Sequence, residues 1–444
     1  MTAFRAAFSS RAIARWGVVQ LVGHLTVNED GEGSNPSAPA NFSLRSSPGV
    51  RRNSDQTKPT RCSYISMGQP ASRWCKKTLG ILMRFLTLLC AVLFSSVSCL
   101  AQTGTSPSNG ADLKHQLDEQ VPTWLKEFNA TSASVAYIAD DKIAWTTYYG
   151  DQVPGGPPAN EKTLYNVASL TKPITAEVIV RLASEKKLSL DEPMYAYWTD
   201  PDIRNNPWTK LLTPRICLTH QSGFTNWRYQ TKGVLTLQWE PGTKTGYSGE
   251  GFDYVARFAE KKTGQTWEAL AQHYVFDEIG MRDTSYTPRD WWAGRQAKPV
   301  ESTDRTKWSA ADLLRTTVAD YAKFLVSVMN NEHVTPDIVR QRLTMVRNNA
   351  TPEMEKSVCK DTTGSVHCRA SAGFGLSWQV LKINDETILD HSGSDPDVKT
   401  LAFFLPSRKM GVVIFTNGPD IDNRLVGKIV SVLYANPVYM NTLR

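Results

Sequence analysis

The sequence predicts an α+β domain in which one antiparallel sheet is assembled from both ends of the chain around a helical middle. Three observations carry this: period-two alternation near the front, helix-period apolar stripes through the centre, and consecutive strand-like runs near the back. The first stripe covers 113–128, with Leu113, Leu117, Val121, Leu125 and Phe128 near helical spacing. The period then changes. Val135, Tyr137 and Ile138, a polar turn at Asp140, Asp141 and Lys142, and the run 143–149 read as a β-hairpin. A Pro/Gly loop at 154–160 closes this part. Residues 169–187 are helical again, with the broad apolar surface expected of a buried helix. Further helices are predicted over 251–262, stopping at Gly264, over 267–276 and over 309–330. Strands follow over 373–382, 386–392, 399–405 and 410–416, then a terminal helix over 422–434. No internal repeat is visible.

The formal charge of +7 is concentrated at the front. Residues 1–101 carry 12 Lys and Arg against 4 Asp and Glu, which leaves 38 against 39 in the remaining 343 residues. A near-neutral domain of this kind does not supply the clustered positive charge that nucleic-acid binding needs.

Residues 83–101 begin Met-Arg, continue through an apolar run of about ten residues and end in small residues, which is the layout of a secretory signal peptide. The run is about half the length of a permanent membrane span. The sequence therefore predicts export to the periplasm or medium, with cleavage after Ala101. Cys99 leaves a lipoprotein route as the weaker alternative, because Ser96, Val97 and Ser98 make a poor acylation signal. Residues 1–82 lack a sustained apolar period and are expected to be an untranslated or disordered extension, with synthesis starting at Met67 or Met83. A linker at 102–112 leads to a domain over 113–435. Cys359 and Cys368 are expected to form a disulfide in an oxidising compartment. Cys217 reads as a small buried hydrophobe rather than a nucleophile.

Three short segments carry the chemistry. Ser169 and Lys172 are one helical turn apart, so an amine faces a hydroxyl that needs a base to become nucleophilic. A serine at a helix start also offers its backbone N–H to an oxyanion. Tyr247, followed by Ser248 and Gly249, supplies a phenol that can relay a proton beside the lysine. His391, Ser392, Gly393 and Ser394 form a strand edge that can present a backbone N–H opposite that of Ser169. Literal Lys-Thr-Gly occurs at 244–246 and 262–264, but in a loop and at a glycine-capped helix end, so His391 is the better candidate. Trp227 and Tyr229 are candidate pocket residues. No metal-ligand motif is present, and neither metal nor cofactor is expected.

In order and spacing these segments resemble the Ser-x-x-Lys, Tyr-x-Asn and Lys-Thr-Gly or His-x-Gly motifs of the class C β-lactamase, DD-peptidase and esterase family. The blocks at 163–172, 187–193, 218–224, 240–249 and 403–417 read similarly, so the resemblance spans roughly 117–434. It implies a β-lactamase/transpeptidase-like fold and acyl-enzyme hydrolysis of an ester, a peptide-like amide or a β-lactam. Lys172 and Tyr247 would then activate Ser169, and the N–H groups of Ser169 and Ser394 would hold the oxyanion. Two departures bear on substrate. Gly249 stands where the family has asparagine, removing an amide that would hold Lys172 or a substrate amide. His391 stands where lysine is usual, weakening a permanent charge for a substrate carboxylate. A non-catalytic penicillin-binding or sensor domain is the alternative from another class. The expected partner is a small-molecule or peptide-like acyl substrate, not nucleic acid or a stable membrane span; oligomeric state is left open.

Overall fold

The computed structural model describes residues 110–298, 307–360, 368–419 and 421–443. The extension, the signal segment with Cys99, and most of the linker lie outside the described residues. Among the described residues no helix is long and apolar enough to cross a membrane.

Helix α1 (Gly110–Glu127) buries Leu113, Leu117, Val121 and Leu125 along one face. Strands β1 (Ser132–Ala139) and β2 (Lys142–Gly150) form the expected hairpin. Its turn residues Asp140 and Asp141 both have positive φ, 51° and 59°, which matches the right-handed twist of the flanking strands. The short β3 (Tyr165–Asn166) leads through a 3₁₀ turn at Ala168–Leu170 into helix α2 (Thr171–Ser184). Helix α3 (Gly249–Thr263) starts at Ser248, whose hydroxyl accepts from the Gly251 N–H, and ends at Gly264 with φ of 72°. Strand β4 (Arg315–Thr316) pairs with β3, and helix α4 (Val318–Met329) follows.

The remaining strands are β5 (Ala370–Phe374), β6 (Gln379–Ile383), β7 (Glu386–Asp395), β8 (Val398–Leu405) and β9 (Met410–Asn417). The seven-stranded antiparallel sheet has the order β2-β1-β9-β8-β7-β6-β5, so β9 from the back of the chain pairs with β1 from the front. Alternation divides the core in two. Val135, Ile388, Leu401, Val412 and Ile414 pack with α1 and with helices α5 (Arg424–Leu433) and α6 (Pro437–Thr442). Ala136, Leu389, Ala402, Val413 and Phe415 pack with α2, α3 and α4 on the other face.

Three sequence expectations are corrected. The run 309–330 is helical only from Val318, because Thr317 caps that helix by accepting from the Asp320 N–H while Arg315 and Thr316 pair with β3. The run 373–382 is two strands, turned at Ser377, whose φ is 73° and whose N–H donates to the Leu218 carbonyl. The domain also continues past 435, since α6 docks Tyr439 against the sheet.

Asp390 lies on the α6 side of β7, opposite to His391, and accepts from the Tyr439 hydroxyl at 3.2 Å. Burial pushes its carboxyl up to about 7. A carboxyl raised above its unfolded value of about 4 favours the fold at low pH, and that contribution is lost as pH rises through about 7. Asp390→Asn is therefore expected to raise the melting temperature at pH 8 and leave it nearly unchanged at pH 4; calorimetry at both values checks this.

Candidate active site

Ser169 stands at the centre of the site because of a strained turn. Ala168 takes a left-handed φ of 46° and its N–H donates to Asn166 Oδ1, while Thr171 Oγ1 donates to the Ala168 carbonyl at 2.6 Å. Thr171 Oγ1 in turn accepts from the Leu314 N–H. The nucleophile candidate therefore sits on the 3₁₀ turn ahead of α2, not on the α-helix itself.

Lys172 is completely buried, and its Nζ donates to Ser169 Oγ at 2.9 Å and to the Ala311 carbonyl at 3.0 Å. Aromatic rings cover its remaining side: Tyr247 at 4.8 Å, Trp227 at 5.6 Å and Phe252 at 5.9 Å from ring centre to Nζ. Tyr247 is thus beside the lysine as expected, but by its ring face. Among the described residues its hydroxyl has no hydrogen-bond partner, and no hydrogen bond joins it to the amine.

Strand β7 forms the opposite wall. Its pairing with β6 ends at Asp390, and residues 391–395 pair only with β8, which leaves their other edge against the Ser169 turn. The approach is close. A Cβ on Gly393 would lie 2.3 Å from the Val167 carbonyl oxygen and 3.1 Å from the Ser169 nitrogen, so only glycine fits there. Thr400 Oγ1 donates to the same Val167 carbonyl and ties β8 to the turn. Ser392 and Ser394 are half-buried beside it.

His391 is fully buried, 6.1 Å from the Tyr247 ring. Its Nδ1–H donates to the Ser392 carbonyl at 2.8 Å, which leaves Nε2 an acceptor without a partner among the described residues. Burial first, and then the Lys172 amine, pull its pKa down to about 3. The ring is neutral near pH 7, so His391 presents no charge to a carboxylate.

His220 was not singled out by its sequence context, although it lies in the Leu-Thr-His-Gln-Ser-Gly-Phe block. It takes φ of 56°, its Nδ1 accepts from the Ser248 N–H at 3.1 Å, and its ring stacks on Tyr247 at 4.4 Å. Burial holds it neutral, well below the ordinary histidine range. It props the tyrosine from behind.

Trp227 is half-buried at the site and Tyr229, 73% exposed, stacks on it at 6.5 Å toward solvent. Cys359 and Cys368 are joined in a disulfide, with Cα atoms 5.8 Å apart, and pack at the edge of the core on the α1 side of the sheet. Cys217 is buried and its thiol is pushed up by burial, which leaves it inert. Among the described residues no group of three or more His, Cys, Asp or Glu side chains could hold a metal.

D-alanyl-D-alanine-carboxypeptidase/endopeptidase AmpH of Escherichia coli K12 is 23% identical over 364 residues, covering 76% of this chain and 91% of that protein. Esterase EstB of Burkholderia gladioli is 28% identical over 208 residues, 40% of this chain and 53% of that one. Among solved structures, D-alanine carboxypeptidase AmpC from Burkholderia cenocepacia has the same fold, with a TM-score of 0.58 at 20% identity over 74% of this chain and all of that chain. The family model described as Beta-lactamase matches residues 121–432, and the chain belongs to this family of serine hydrolases.

Proposed function

We propose that the chain hydrolyses neutral esters and peptide-like amides through an acyl-enzyme on Ser169. The observation that carries the reading is the 2.9 Å contact between Lys172 Nζ and Ser169 Oγ inside a buried, aromatic-walled site. In its uncharged form the amine takes the serine proton as Oγ attacks the substrate carbonyl. The N–H groups of Ser169 and Ser394 hold the resulting oxyanion. The proton returns from Lys172 to the leaving group, with the Tyr247 ring walling the amine, the acyl group stays on Oγ, and water then releases it by the reverse proton path.

Neutral substrates are favoured over those bearing a carboxylate, because His391 is uncharged and Asp395, further along the same strand, is held by Asn166 at 3.1 Å. The names of AmpH and EstB, a peptidase and an esterase, fit either acyl class. The Cys359–Cys368 bond supports export to an oxidising compartment.

An aryl ester, a D-alanyl-D-alanine peptide and a chromogenic cephalosporin, each assayed with the unaltered protein and with Ser169→Ala, test the proposal. Ester turnover that disappears in the variant is expected, with kcat/KM lower by about tenfold or more for the peptide and the cephalosporin, both of which carry a carboxylate. Equal turnover by Ser169→Ala sinks the reading. Single labelling without product favours the binding-domain alternative.

A further inference from the structure

We infer that Trp227 sets the acyl specificity of this site, replacing a polar side chain at 249 by an aromatic wall that selects flat, apolar acyl groups. The inference rests on the acyl-transfer reading above and concerns the other half of the substrate. A Cβ on Gly249 would lie 2.5, 2.7 and 2.8 Å from three atoms of the Trp227 ring. The glycine has ordinary helical backbone there, so its cause is the indole, which occupies the volume that a side chain at 249 would fill. The same indole lies 5.6 Å from Lys172 Nζ, beside the reacting groups.

The backbone that carries the indole is held from both sides. The Arg228 backbone N–H donates to Glu250 Oε1 at 2.8 Å, and its guanidinium donates to Glu250 Oε2 at 2.8 and 3.0 Å. The Gly249 N–H donates to Asn226 Oδ1 at 2.9 Å, and the Trp227 N–H to Gln230 Oε1 at 3.0 Å. Residues on either side of Trp227 are therefore laced to the first turn of α3, which fixes the backbone that carries the ring. Tyr229, stacked outside it, extends the aromatic surface from the lysine to solvent.

An acyl group that carries an amide next to its carbonyl meets π surface here instead of a hydrogen-bonding partner from position 249. Its polar atoms would be desolvated without compensation, whereas a planar aromatic or short aliphatic acyl group stacks. Trp227 is thus a specificity residue, and Gly249 is its steric counterpart.

The test compares kcat/KM for p-nitrophenyl benzoate with that for p-nitrophenyl hippurate, which adds an acylamino group. The unaltered protein is expected to prefer the benzoate by roughly tenfold or more. Trp227→Ala should lower benzoate turnover by about tenfold and hippurate turnover much less. Gly249→Asn alone should clash with the ring and lose activity on both esters. Combining it with Trp227→Gly relieves the clash and is expected to move the preference toward hippurate, and circular dichroism of each variant establishes folding. A benzoate-to-hippurate ratio unchanged within about twofold in folded Trp227→Ala overturns the inference and leaves the Ser169 chemistry standing. Absence of any Ser169-dependent turnover overturns both.

Discussion

Exchanging Lys172 for methionine is expected to lower the rate of acyl-enzyme formation by about 100- to 10,000-fold while leaving the melting temperature unchanged or higher. The two halves of this result have separate causes. Lys172 Nζ is in contact with Ser169 Oγ, and without it the hydroxyl loses the base on its own helical turn. Yet the amine is completely buried among Tyr247, Trp227 and Phe252, and a thioether of similar length fills that space without burying a polar group. Arginine at 172 should not rescue the rate, because a guanidinium does not give up its proton. A merely structural lysine would show the opposite pattern, with lost stability and retained turnover. Stopped-flow acylation and calorimetry on the same preparations separate the two.

The second large effect concerns the platform on which α2 rests. Glu177 receives Arg181 Nε at 3.0 Å on one oxygen and Arg342 Nη2 at 2.6 Å on the other, and all three side chains are almost fully buried. Arg181 also donates to the Tyr274 carbonyl and to Ser327 Oγ, and Arg342 to the Val328 carbonyl. The cluster joins α2, α4 and the helix at Pro336–Arg342. Glu177→Ala strands two buried guanidinium groups without their anion and should cost about 3–5 kcal/mol. For a domain of this size that is a fall of roughly 5 °C in melting temperature. Glu177→Gln keeps one acceptor and should fall less. Denaturant titrations of both variants check the ordering.

The legible parts of this protein are those in which local chemistry and global position agree. The strands of the last third read as short, nearly continuous apolar runs because both faces of the sheet are covered, and the turn residues between them mark their ends. The Ser169, Lys172 and Gly393 positions were readable because their chemistry fixes residue type at short spacing. What failed depended on long-range partners. Arg315 and Thr316 lie in a run of helix-compatible residues but are drawn into a strand by Asn166 and Tyr165, about 150 positions earlier. The break between β5 and β6 depends on Leu218 accepting from Ser377. Gly249 read in the sequence as the removal of an amide, and its contact with Trp227 accounts for it. His220 carried no signal of its own, since a buried histidine that props a tyrosine is chosen for shape and for one hydrogen bond.

Covalent capture of the nucleophile is the most direct test. After incubation with a fluorophosphonate, intact-mass and peptide mass spectrometry should find one adduct per chain, on Ser169, formed far more slowly in Lys172→Met and absent in Ser169→Ala. An adduct on another residue, or equal labelling of Ser169→Ala, would contradict the assignment of this serine as the group that carries the acyl chain.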